Sequence, residues 1–284
     1  MPNTIEDIIL DHDQRGVSAL RPHLPEDFCT RAAQYILDHP GETLIATGFY
    51  ILSAGKHETD GPPGAIAIGN ALHTLGRKVG YVADLYTAPM LREWLGDQAR
   101  VIEFPIADVA TSKQQAEEIL NQVKPELVVS IERCSRTSSD TYLNMRSIEI
   151  TQNTARLDYL FEAGIPSVGI GDGGNEIGMG NLAAIIPTLD KLPKDPAVTR
   201  VDQLVIASVS NWGGYGMVAA LSCLVGCNLL PSIEDDRRLI KLMVDSGAVD
   251  GTTGENKFYV DNFTLEENAE LLGRLHGLVE QQIR

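Results

Sequence analysis

Six short, largely apolar runs alternate with helical patterns along this chain, and that alternation constrains the fold more than any other feature. The runs are Thr43–Thr47, Val79–Ala83, Arg100–Phe104, Leu127–Ile131, Ser167–Ile170 and Gln203–Ser208. Most lack the apolar–polar alternation of a half-exposed strand, so both faces must be covered. Such strands, separated by helices, predict a parallel sheet with crossover connections. Helical patterns are read at Thr4–Asp11, Glu26–His39, Gly64–Leu75, Ala88–Leu95, Ser112–Val123, Thr151–Ala163, Gly213–Gly226, Ile233–Ser246 and Leu265–Ile283. The predicted class is α/β: a doubly wound, mostly parallel sheet with helices on both faces.

With 284 residues, 43% of them hydrophobic and 22% charged, the chain can bury a full core in one large unit. We expect a single Rossmann-like, three-layer domain over residues 1–284, opened by two helices (about 3–39) and closed by a helical segment (about 233–284). Gly247–Phe263 lacks periodicity and is read as a hairpin or lid. The net charge is −16 and no basic face is visible, so nucleic acid and anionic membrane surfaces are disfavoured partners. The N-terminus lacks a basic start followed by an apolar run, and the apolar stretch Tyr215–Leu230 is interrupted by Gly226 and Asn228. A cytoplasmic protein is the expectation. Cys223 and Cys227, one helical turn apart, read as reduced core cysteines; Cys134 alone follows a strand end.

In sheets of this kind, ligands bind outside the carboxyl ends of the strands, near a switch in strand order. Asp84 ends the second run, Glu132 follows the fourth and Asp172 the fifth, and Asn211 comes after the sixth. The first run leads into Gly55–Gly64, where Thr59 or Asp60 can cap a helix begun by Pro62 and Pro63. The free amides of Gly61–Gly64 then form either a plain helix start or a carboxylate or phosphate site.

The segment Gly169–Asn181 contains G-x-G-x-x-G after a strand. The dinucleotide reading of that motif fails, because Asp172 stands where a pyrophosphate needs amides. No nucleotide cofactor is expected. What remains is a tight turn through Gly173 and Gly174 that presents Asp172, Asn175 and Glu176 to a ligand or hard cation. Glu132 and Arg133, with Arg136 and Arg146 downstream, suit a zwitterionic or dianionic substrate, since guanidinium grips carboxylate with two parallel bonds. An internal ion-pair network is the alternative, stronger for Arg136 than for Arg133. The Asp172 turn also looks like the magnesium loop of haloacid-dehalogenase-type phosphatases, but Asp84-Leu85-Tyr86 lacks their second nucleophile-loop Asp. No Walker loop, H-E-x-x-H or Ser-His-Asp pattern is present.

Five blocks together carry a more specific resemblance: Glu58–Ala65, Ile131–Arg133, Tyr142–Arg146, Gly171–Gly180 and Ser210–Tyr215. In composition and order they resemble the signature blocks of the D-glutamate cyclase C-terminal domain family. The resemblance implies cyclisation of D-glutamate to 5-oxo-D-proline with loss of water. The eukaryotic enzyme joins this domain to a separate N-terminal one, to which nothing here corresponds.

On that reading Asp84, Glu132, Asp172 and Glu176 are the candidate catalytic residues. Arg133 and the amides of Gly61–Gly64 would hold the substrate carboxylates. Thr59, Asp60, Arg146, Gly173, Gly174, Asn175 and Asn211 would complete the binding site of an amino-acid-like substrate. One of Asp84, Glu132 or Asp172 would act as general base. Mg²⁺ or Mn²⁺ held by Asp84, Asp172 and Glu176 would polarise the distal carboxyl group. Two rival expectations are a metal-dependent phosphohydrolase and a non-catalytic domain that binds amino acids or nucleotides. A homodimer is expected from the apolar helices.

Overall fold

The computed structural model describes residues 4–96 and 99–283, so the ends of the expected 1–284 span lie outside the described residues. The strands are β1 (Thr43–Thr47), β2 (Tyr50–Ile51), β3 (Lys56–His57), β4 (Val79–Ala83), β5 (Arg100–Glu103), β6 (Leu127–Ile131), β7 (Ser167–Gly171), β8 (Gln203–Ile206), β9 (Tyr259–Val260) and β10 (Phe263–Thr264). The α-helices are α1 (Ile5–Ile9), α2 (Phe28–Asp38), α3 (Pro62–Thr74), α4 (Ala88–Leu95), α5 (Val109–Val123), α6 (Asp158–Phe161), α7 (Ser210–Val225), α8 (Ile233–Asp245) and α9 (Leu265–Gln282).

Six strands form one sheet in the order β5-β4-β1-β6-β7-β8, every pair parallel. Chain order runs outward from β1 in one direction and from β6 in the other, so the switch point lies between these two strands. Helices cover the sheet, giving the three-layer α/β fold that the apolar runs call for. β1, β4, β6 and β7 are buried along their whole length, as strands covered on both faces must be. α7 is buried from Ser210 to Ser222 and packs against α2, α3 and α9, which is why its sequence is apolar all round. Its amino end touches that of α3: a Cβ on Gly214 would lie 3.0 Å from the Gly64 Cα.

Three expectations are corrected. Thr151–Ala163 is not one helix but a 3₁₀ turn, Thr151–Asn153, followed by the short α6. Its polar groups are used in tertiary bonds: Asp158 accepts from Ser135 Oγ (2.8 Å), the Arg136 amide (3.1 Å) and Thr199 Oγ1 (2.6 Å), while the Ala155 carbonyl accepts from Arg133 Nη2 (2.8 Å). α7 begins at Ser210, three residues earlier than its glycines suggested, which brings Ser210 and Asn211 into the helix's first turn. Cys227 is exposed and Cys223 half-buried at the end of α7, so neither is a fully buried core cysteine.

Gly247–Phe263 is a turn built on Asp250, whose carboxylate accepts the amides of Thr253 (2.8 Å) and Asn262 (2.7 Å). Its second half contains β9, which pairs antiparallel with β10. Among the described residues no helix is long and apolar enough to cross a membrane.

Candidate active site

The site grows from the carboxyl ends of β6 and β7, beside the switch point. β6 stops at Ile131, and Glu132 turns out of the sheet with φ 45°, a left-handed conformation that costs a non-glycine residue about 1 kcal/mol or more. That turn delivers the Glu132 carboxylate to Ser210 Oγ, which donates to it at 2.6 Å. β7 ends at Gly171 and presents Asp172. The next turn, through Gly174 at φ 100°, points two amides back: Gly173 and Gly174 donate to the two Glu176 oxygens at 2.7 and 2.8 Å. The glycine loop binds a carboxylate of its own chain.

The amino end of α7 does the same. Its orphan amides and dipole attract negative charge. The Ser210 amide donates to Asp60 (2.9 Å) and to Asp172 (3.2 Å), and the Asn211 amide donates to Asp60 (2.7 Å). Two further acids join from elsewhere: Glu58, ahead of α3, and Asp261, in the β9–β10 turn. All six carboxylate residues, Glu58, Asp60, Glu132, Asp172, Glu176 and Asp261, are buried.

Four of them, Glu58, Glu132, Asp172 and Glu176, line a cleft of about 420 Å³. Phe49, Tyr50, Ile51, Met145 and Ile148 form its apolar wall, and Asn144, Asn175, Gly251 and Thr252 complete it. Two cationic side chains face this volume. Arg146 is exposed at the mouth and donates to the Thr252 carbonyl at 3.3 Å. Arg15 enters from the N-terminal segment and pairs with Asp172 and with Asp261 (2.7 Å).

So much buried negative charge holds protons tightly. Burial, then the neighbouring Glu132 carboxylate, pushes Glu58 well above the ordinary range. Burial, then Glu176, does the same to Glu132. Burial raises Asp172 as well, with Arg15 opposing. Burial and Asp261 push Asp60 up to about 7, against the pull of its amide donors. Raised proton affinity of this kind is what acid–base catalysis draws on.

Two sets of oxygens lie close enough to share a cation: Glu132, Asp172 and Glu176, and Asp60, Asp172 and Asp261, with the ligand atoms of each set within 4.8 Å of one another. Asn175 Nδ2 is spent on the Leu143 carbonyl (2.9 Å), while its buried Oδ1 has no partner.

The structure thus brings together Asp60, Glu132, Asp172, Asn175 and Glu176, with Gly173 and Gly174 as the amide donors of the turn. Asp84 and Arg133 stand apart from them. Arg133 is 1% exposed and donates to the Gly48 carbonyl (2.8 Å), Asp84 Oδ2 (2.5 Å) and the Ala155 carbonyl (2.8 Å). This is the internal network weighed above, found at Arg133; Arg136 instead pairs with Glu162 at the surface. The expected Asp84–Asp172–Glu176 ligand set is therefore not assembled, because Asp84 is held by Arg133.

The amides of Gly61 and Gly64 are also occupied: both donate to Asn211 Oδ1, at 3.0 and 2.9 Å. Asn211 Nδ2 reaches the Thr59 carbonyl (3.2 Å), and Thr59 Oγ1 donates to the Tyr259 carbonyl (2.7 Å). Thr59, Gly61, Gly64 and Asn211 hold the floor of the site together. Cys134 is buried beside it, its backbone bridged to Glu176. Sequence reasoning missed Arg15, Glu58 and Asp261 as site residues. Glu58 lies inside one of the five blocks, whereas Arg15 and Asp261 carry no local signal.

A family described as D-glutamate cyclase-like, C-terminal matches residues 5–276. The mitochondrial D-glutamate cyclase of Homo sapiens is 27% identical over 320 residues, covering 96% of this chain and 51% of the human protein. The chain thus spans about half the length of that relative. Among solved structures, an exopolyphosphatase-related protein from Bacteroides fragilis gives a TM-score of 0.44 at 7% identity, covering 92% of this chain and 61% of that one. NAD⁺-bound xylitol dehydrogenase gives 0.29 at 11% identity, covering 87% and 93%. Scores of this size carry no functional argument.

Proposed function

The chain belongs to the D-glutamate cyclase-like, C-terminal family, and we propose that it is itself a lyase of that type, converting D-glutamate to 5-oxo-D-proline and water. The observation that supports this reading is the cleft itself: it is lined by four buried carboxylates, with Arg15 paired among the acids and Arg146 exposed.

Lactam formation joins an ammonium group to a carboxylate of the same molecule. The nitrogen gives up two protons, and one carboxylate oxygen leaves with both as water. The site must therefore curl the substrate, accept protons from nitrogen and return them to oxygen. The cleft is large enough for a curled amino acid and supplies that proximity. Arg146 at the mouth and the exposed edge of Arg15 meet the two carboxylates, while the ammonium lies among the acids.

Glu58 is the acid–base group. Its raised affinity for protons suits both taking one from the ammonium and giving it to the departing oxygen. Among the described residues no arginine forms an ion pair with it, unlike Asp84. Ser210 orients Glu132, and the amides of Gly173 and Gly174 orient Glu176, so these groups are fixed before substrate arrives.

Glu132, Asp172 and Glu176 also fit a hard divalent cation such as Mg²⁺ or Mn²⁺, with the free Asn175 Oδ1 beside them as a neutral oxygen donor. When bound, the ion would polarise the distal carboxyl group.

The test is incubation of the purified chain with D- or L-glutamate, with and without Mn²⁺, and chromatography of 5-oxoproline. Product from the D-enantiomer alone is expected. No product under any condition would overturn the reading.

A further inference from the structure

We propose that Arg15 is a tethered counter-cation filling the second of two fused carboxylate sets, so that this centre accepts one divalent ion where its carboxylates alone would accept two. The inference rests on the metal reading given above. The two sets share Asp172, and the second consists of Asp60, Asp172 and Asp261, all buried. The oxygen spacing in each set, within 4.8 Å, is one a hard cation spans with bonds of about 2.0–2.6 Å.

In the second set the guanidinium bridges two of the three carboxylates, those of Asp172 and Asp261. One Arg15 nitrogen pairs with Asp172 Oδ1 and the other with Asp261 Oδ1 at 2.7 Å. The other Asp261 oxygen, buried, has no hydrogen-bond partner among the described residues, so the set is not saturated by the arginine.

The arginine is delivered by a built turn rather than by a loose end. Asp13 Oδ1 accepts the amides of Arg15 (3.0 Å) and Gly16 (2.7 Å), and Oδ2 accepts the Ser18 amide (2.9 Å) and hydroxyl (2.5 Å). Gly16 takes φ 85° there. Asp11 is tied to Arg274 (2.7 Å), and the Gln14 carbonyl accepts from Lys191 (3.3 Å). The side chain is 22% exposed and cannot leave without stranding two buried carboxylates. A guanidinium supplies charge permanently and in a fixed geometry, which an exchangeable ion does not.

Mn²⁺ binding to the full chain tests this, with stoichiometry read by equilibrium dialysis and the bound ion by electron paramagnetic resonance. Wild type is expected to bind one isolated ion. Arg15→Met is expected to bind two, with the signal broadened by coupling between neighbouring ions, and Arg15→Lys to return to one. Arg15→Gln, uncharged but still able to donate to Asp172, serves if Arg15→Met does not fold; a larger rise of melting temperature on adding Mn²⁺ than in wild type is expected for it. One ion in both wild type and the uncharged variants would overturn the role of Arg15 and leave the cyclase reading standing. No ion in any of them would overturn the metal reading beneath it.

Discussion

Replacing Arg133 with methionine separates a scaffold arginine from a substrate-gripping one. Arg133 and Asp84 are 1% and 2% exposed, so solvent screens neither charge. Removing the guanidinium strands the Asp84 carboxylate and the Gly48 carbonyl, while the Ala155 carbonyl keeps the Leu157 amide at 2.9 Å. Breaking one side of a buried ion pair costs about 3–5 kcal/mol, most of it the uncompensated charge left behind. The orphaned carbonyl adds about 1 kcal/mol where water does not reach it. A loss of about 5 kcal/mol lowers the melting temperature by roughly 10 °C in a chain of this size. Arg136→Met, which removes a pair 28% and 36% exposed, is expected to cost about 0–1 kcal/mol. Urea unfolding of both variants, with Arg133→Met/Asp84→Leu as the double variant, measures the difference. The double variant recovers part of the loss because the stranded charge is gone. An Arg133→Met protein that melts like wild type but binds D-glutamate more weakly would refute the argument and return Arg133 to the substrate.

Three further outcomes follow from the same contacts. His57 is buried, which lowers its pKa to about 4 with Asp84 partly opposing, so its neutral form stabilises the fold above pH 6.5 and that contribution is lost as pH falls toward 4. His57→Gln is expected to flatten stability between those limits, and melts at pH 4.5 and 7 that differ as much as in wild type would count against it. Asn211→Leu leaves the Gly64 amide without an acceptor, while the Gly61 amide keeps Asp60, and is expected to cost about 1–3 kcal/mol in denaturant unfolding. Gly64→Ala sets a Cβ 2.5 Å from Ile131 Cδ1 and 3.2 Å from Asn211 Cα, so overpacking of about 1–3 kcal/mol is expected where a helix-interior Gly→Ala would otherwise stabilise.

The sheet was legible because its strands are buried on both faces and read as apolar runs; β1, β4 and β6 fall at the predicted bounds. The strand-end rule pointed to Glu132 and Asp172 for the same reason. It misled at Asp84, which also ends a strand, because nothing local reveals that a residue 49 positions away pins it. The glycine amides at Gly61–Gly64 and Gly173–Gly174 were read as ligand cradles, and each serves a side chain of the chain itself. The failure at Thr151–Ala163 has a related origin: helical periodicity there is outweighed by tertiary bonds to Asp158 and Ala155. Arg15 and Asp261 lie 157 and 89 residues from Asp172 in sequence, and only the folded chain brings them to it.

The central claim is that the buried carboxylates move protons for lactam formation, with Glu58 as the group that carries them. The most direct measurement is the rate of 5-oxoproline formation from D-glutamate by wild type and Glu58→Gln, with far-ultraviolet circular dichroism and melting to show that the variant is folded. Loss of a positioned acid–base group predicts a rate lower by about 10²–10⁴-fold, with KM little changed. A folded Glu58→Gln protein that turns over D-glutamate at the wild-type rate would contradict the account.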